Sequence, residues 1–148
     1  MKVKSTIELS QSIETFCNFI EKLPSNYLEE QVWGPREVLA HLVFHHELYV
    51  KLVEADVFKL PLVPLEGKYR EINARAVAAN HGCSVEQLVE RLRLANRRLV
   101  ELYEAYDPTH IAVQIKAGVK VRSLAELVPG VEAHVRNHLG KLQKDCRT

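Results

Sequence analysis

The sequence predicts an all-α protein, a four-helix up-down bundle with crossover loops and a short extra helix. Three observations carry that reading. Apolar residues recur at three- and four-residue steps through most of the chain, helix-capping patterns stand where those steps begin, and prolines gather where they lapse. The 148 residues fit one domain, 1–148, with no internal repeat, low-complexity tract or linker.

Leu9, Ile13, Phe16, Cys17, Ile20 and Leu23 place one apolar stripe on a first helix that runs from Ile7 and ends before Pro24. Asn26 to Gln31 is a polar connector. Trp33-Gly34-Pro35 opens a second helix, since a proline in the first helical position gives up no intrahelical hydrogen bond. That helix extends to about Ala55, and its apolar set, Val38, Leu39, Leu42, Val43, Leu48, Val50, Leu52 and Val53, is wide enough to pack on two neighbours. Leu60-Pro61-Leu62-Val63-Pro64-Leu65-Glu66-Gly67 cannot be helical, because two prolines remove donors and bias their predecessors toward extended backbone. It reads as a crossover loop. A short helix from Tyr69 to Asn80 closes at His81-Gly82. Ser84-Val85-Glu86-Gln87 is then a capping box for a long helix that ends at Tyr106, before Asp107-Pro108. Ile111 to Ile115 and Val119 to Val121 alternate around Ala117-Gly118, which suits a small hairpin over 111–121 or an irregular loop. Ser123-Leu124-Ala125-Glu126 is a second capping box and opens a last helix to about Gln143. Pro129 within it either kinks the helix or marks its true first turn after a short leading turn.

Composition narrows the class. Apolar residues make up 47% of the chain and charged residues 26%, a globular balance. A formal net charge of +1 supplies no broad attraction to phosphate backbones, so nucleic acid is not an expected partner. No apolar run approaches the roughly 20 residues that span a bilayer, and Met1 to Glu8 turns amphipathic without the apolar stretch of a secretory signal. No membrane partner is expected, and the cytoplasm is the expected location. Cys17, Cys83 and Cys146 are odd in number and form no C-x-x-C pair, which reads as reduced thiols. Cys17 falls in an apolar pattern and reads as packing; Cys146 sits in a basic tail and reads as exposed.

The histidines are placed unevenly. His134-Val135-Arg136-Asn137-His138 puts two imidazoles one helical turn apart, close enough to converge on one cation. They share a face with Val131 and Leu142, so the pair points inward. His41 lies on the core-facing side of the second helix, beside Val38, Leu42 and Leu48. A third buried imidazole without partners is costly, and a shared cation is the economical solution. His45 stands four residues from His41, with His46 and Glu47 next in line. These three are candidates for supporting the ligands or for general-base work, depending on which turns toward the cavity.

The segment Trp33-Gly34-Pro35-Arg36-Glu37-Val38-Leu39-Ala40-His41-Leu42 resembles the Trp-x-x-x-x-Val-Leu-x-His-Leu segment of DinB/YfiT-like proteins. His134-x-x-x-His138-Leu139-Gly140-Lys141-Leu142 resembles their closing His-x-x-x-His-x-Gly-x-Ile/Leu segment. Asn73 and Ser84 are also in keeping with that family, including its ClbS/DfsB-like branch. Asn137-His138 stands where the family usually doubles the histidine, and Leu139-Gly140-Lys141 where it usually has Arg-Gly-Gln. The resemblance implies a helical bundle whose divalent metal, zinc or nickel, is held by His41, His134 and His138. It also implies relatives that include metal-dependent thiol transferases and isomerases using low-molecular-weight thiols, and hydrolase-like resistance proteins.

The expected function is therefore a metal-dependent attack on a small electrophile by an activated thiol or water, with His45, His46 or Glu47 as base. The other class is a non-enzymatic small-molecule-binding or stress protein on the same scaffold, and a homodimer through helix faces suits either. Trp33 reads chiefly as a packing staple, and Arg91, Arg93, Arg97 and Arg98 as a solvated helix face. Tyr69 and Arg70 flank the long loop, where ligand contacts gather. His81 and His110 sit at helix ends and take no function.

Overall fold

The computed structural model describes residues 3–31 and 33–146. Among them are α1 (Lys4–Lys22), α2 (Pro35–Phe58), α3 (Tyr69–Ala79), α4 (Val85–Ala105) and α5 (Leu124–Asp145), with a short antiparallel ribbon of β1 (Ala112–Val113) and β2 (Arg122–Ser123). The fold is an all-α bundle. Both capping boxes form: Ser84 Oγ accepts from Gln87 N at 3.1 Å while Gln87 Oε1 accepts from Ser84 N at 2.8 Å. Ser123 and Glu126 repeat the exchange at 3.1 and 3.2 Å. These bonds satisfy donors that the first helical turn otherwise leaves without partners.

Several boundaries differ from the sequence pattern. α1 begins three residues before Ile7, its first turn secured where Thr6 Oγ1 donates to the Val3 carbonyl at 2.8 Å. Ser25–Leu28, expected as connector, winds into a 3-10 turn. α2 continues past Ala55 to Phe58 and stops at Lys59, whose left-handed backbone (φ 54°) lets Leu60 N donate back to Ala55 O ahead of Pro61. Pro129 does not mark the first turn of α5, which starts at Leu124 and runs through it. The leading turn is anchored from outside, Leu124 N donating to Ile111 O at 2.9 Å and Ala125 N to Pro108 O at 3.1 Å, so the helix tolerates the missing donor at Pro129. The ribbon pairs Ala112 with Ser123 and Val113 with Arg122, beyond the Val119–Val121 stretch that alternation suggested. Burial of Ile111 and Val113 and the start of α5 fix that register, and Gly118 supplies a left-handed turn residue (φ 87°).

α1 packs on α4 and α5, α2 packs chiefly on α4, and α3 lies along α2. Phe16, Leu39, Leu88, Leu92, Leu102 and Leu124 are fully or almost fully enclosed at the centre, each contributing about 1.5–3 kcal/mol of burial. Of the long helices that pack on one another, α2 and α5 touch most lightly. That thinly packed side of the bundle is where the histidines meet. No helix of the described residues is long and apolar enough to cross a membrane.

Candidate metal centre

α2 is buried almost all round, with Glu37 through Val43 in unbroken succession, so its polar residues must find partners inside the protein. His41 projects toward α5 and meets His134 and His138 with ring centroids 5.3 and 5.2 Å away; those two rings lie 4.5 Å apart. One ring nitrogen from each of the three lies within 4.8 Å of the others, so the triad can hold a metal ion. The Nε2 atoms of His134 and His138 are 3.0 Å apart. Two such nitrogens coexist either with one donating its proton to the other or with both lone pairs turned on a common cation. Ligands about 2.1 Å from an ion at right angles would be separated by about 3.0 Å, which this pair matches.

Burial holds the cluster neutral. The His41 ring is pushed down to about 3, first by desolvation and then by the neighbouring His45, His138 and His134. His138 falls to about 4 through burial, His134, Lys141 and His45, and His134 is lowered by burial and His45. Neutral imidazole is the form that binds metal. His41 is 4% exposed and its Nδ1 has no hydrogen-bond partner among the described residues. Such an orphan costs about 1–3 kcal/mol, and a bound cation is the group that three converging imidazoles fit.

The neighbours on α2 divide between two faces. His45 belongs to the site: its ring lies 4.6 Å from that of His41, and its Nε2–H donates to Asn73 Oδ1 of α3 at 2.9 Å. His46 and Glu47, read from sequence as further base candidates, turn toward α4 instead. His46 Nε2–H donates to Asn96 Oδ1 at 3.0 Å, and Asn96 Nδ2 donates on to Ser10 Oγ at 3.1 Å. Glu47 takes both ends of the Arg91 guanidinium at 2.6 and 3.0 Å. A helix turns about 100° per residue, so consecutive side chains cannot share the α5-facing side.

Trp33 departs from the packing role. It is 46% exposed, adopts left-handed backbone (φ 57°), and sets its ring edge-on to His41 with centroids 5.5 Å apart. No periodicity marks a residue in a turn; the sequence signal for Trp33 is its place at the head of the segment that ends on His41. The Glu37 carboxylate holds this turn, accepting from Gly34 N at 3.0 Å and from Gln31 N at 3.2 Å. Of the other arginines of α4, Arg93 meets Glu14 and Glu21 and Arg98 meets Glu54, while Arg97 has no ion pair among the described residues. His81 and His110 pair at 3.0 Å with Glu30 and Asp107 on the surface. Cys17 is enclosed in the core, its thiol pushed up to about 12 by burial, and Cys146, half-buried rather than exposed, is also raised.

Among known proteins, the mycothiol maleylpyruvate isomerase N-terminal domain family matches residues 31–135, a span that includes His41 and His134. No curated protein matches the chain. An uncharacterized protein from Clostridium difficile 630 is similar in structure, with a TM-score of 0.73 and 14% identity over 97% of this chain and 96% of that one. At that identity the likeness shows the fold alone. With the match extending over well more than half of its length, the chain belongs to the mycothiol maleylpyruvate isomerase N-terminal domain family, within the DinB/YfiT-like superfamily.

Proposed function

We propose that His41, His134 and His138 hold a divalent metal ion, zinc or nickel, and that the protein is an enzyme of thiol-transferase or hydrolase type. It acts on a small electrophile, with a low-molecular-weight thiol or water as nucleophile. The observation that carries the reading is the convergence of three neutral imidazoles from two helices, His134 and His138 half-buried and His41 buried with an orphaned nitrogen. Three protein ligands, rather than four, are the mark of a site with open positions for chemistry. When bound, such an ion lowers the pKa of a ligated thiol or water toward neutrality.

The chain's own residues supply the rest. Asn73 Oδ1 accepts only, so it keeps the His45 proton on Nε2 and leaves the lone pair on Nδ1. That makes His45 the residue of α2 suited to take a proton beside the ligands.

Metal analysis after reconstitution with Zn, Ni, Mn and Fe tests the reading, with His134→Ala and His138→Ala alongside. Wild type is expected to retain about one equivalent per chain and the variants little, since each loses one of only three ligands. Equally negligible metal in all three proteins refutes it. Reaction of the loaded protein with low-molecular-weight thiols and reactive electrophiles then separates an enzyme from a protein that only sequesters small molecules.

A further inference from the structure

α2 carries a second pair of imidazoles at the spacing of the pair on α5. His41 and His45 lie one helical turn apart with ring centroids 4.6 Å from each other, and His134 and His138 lie one turn apart at 4.5 Å. By spacing alone, either pair can close on a single ion. The nitrogens that lie within 4.8 Å of one another nevertheless come from His41, His134 and His138, and His45 is not among them. Nearness to His41 is not what it lacks, since its ring is closer to that residue than the rings of His134 and His138 are, at 5.3 and 5.2 Å. What sets His45 apart is its partner. Its Nε2–H donates to Asn73 Oδ1 at 2.9 Å, whereas the Nε2 atoms of His134 and His138 face each other at 3.0 Å and His41 Nδ1 has no partner among the described residues. The His45 ring is buried, so the amide also answers the need of a buried polar group for a hydrogen bond. Asn73 itself is half-buried on α3, a short helix that packs chiefly on α2.

We propose that Asn73 is a positioning residue that withholds His45 from the ion, so that the site takes three imidazoles instead of four. The inference rests on the triad reading and deepens it. A metal held by three protein ligands keeps a position for an outside group, whereas a fourth imidazole closes the set, as in structural sites. The bond between Asn73 and His45 thus decides whether the site is open. The sign of its effect separates this role from ordinary support. Removing a hydrogen bond that orients a ligand weakens metal binding, by roughly 10- to 100-fold. Removing one that restrains a spare ligand strengthens it.

Cobalt(II) is titrated into chelator-treated protein and azide into the cobalt-loaded protein, both followed by visible absorption. Wild type and His45→Gln should each bind about one cobalt per chain and respond saturably to azide, because three ligands remain in both. Asn73→Ala should bind cobalt at least about tenfold more tightly than wild type and azide at least about tenfold more weakly. Asn73→Leu, which keeps the volume and removes the acceptor, should do the same. Asn73→Ala/His45→Gln should return both readings to those of wild type, which a general loosening of α3 would not. Wild type that takes up no cobalt overturns the triad reading and this inference with it. Wild type that binds cobalt and azide, beside Asn73→Ala and Asn73→Leu with unchanged or weaker cobalt binding, overturns this inference and leaves the triad standing. A double variant that keeps the tighter binding, or cobalt lost in His45→Gln, does so too.

Discussion

His46 ties acid stability to one buried ring. It is 2% exposed, donates to Asn96 Oδ1 at 3.0 Å, and burial lowers its pKa from 6.5 to about 4. In the unfolded chain the ring takes a proton below about 6.5, whereas in the folded protein it does so only near 4. Between those values the unfolded state holds more protons, so stability is intact above pH 6.5 and drains as the solution is acidified toward 4. The slope approaches about 1.4 kcal/mol per pH unit, and the whole gap amounts to about 3 kcal/mol for this one ring. Glutamine at position 46 can still donate to Asn96 and carries no titrating proton. Urea unfolding of metal-free wild type and His46→Gln, followed by circular dichroism from pH 7.5 downward, isolates the ring, because the other histidines titrate in both proteins. Wild type should lose its advantage over the variant steadily below pH 6.5. A difference that stays constant with pH refutes the reasoning.

Three further outcomes follow from the same geometry. Divalent metal at about a hundredfold excess over its Kd should add about 2.7 kcal/mol, raising Tm by roughly 5–10 °C; scanning calorimetry should show the shift vanish in His41→Ala and His134→Ala. Glu37→Ala removes the acceptor of two backbone donors at the start of α2 and should cost about 1–2 kcal/mol by denaturant titration. The Trp33 emission should change with it while helix content holds. Glu47→Gln disturbs only a half-exposed pair with Arg91, so stability should fall by less than about 1 kcal/mol, with metal content and turnover unaltered. Turnover lost in that variant, with metal retained, would return Glu47 to the site.

Much of the architecture is legible in the sequence because its signals are local. Ser84 with Gln87 and Ser123 with Glu126 state two helix starts within four residues each, and the stripe from Leu9 to Ile20 states a face. His134 and His138 form a pair by spacing alone. The faces of α2 are harder to read, since a helix apolar all round offers no phase. Whether His45, His46 or Glu47 joins His41 depends on which neighbour each meets, and Asn73, Asn96 and Arg91 lie 28 to 50 positions away. The left-handed turn at Trp33 has no sequence mark for a similar reason: its bonds come from Glu37, which also reads as an ordinary first-turn acid. The continuity of α5 through Pro129 depends on carbonyls at Pro108 and Ile111, outside the helix pattern.

α2 is pinned on two faces, by the amide of Asn73 through His45 and by that of Asn96 through His46. Rotating or sliding the helix to suit a different guest would tear one of those bonds, so the imidazole frame behaves as bedrock. α3 is another matter, for it buries only Ile72 and Ala76. Its outward positions, and the turn carrying Trp33, can be exchanged at little cost to the scaffold. Selectivity can therefore be retuned from α3 and that turn while the chemistry beneath stays as it is.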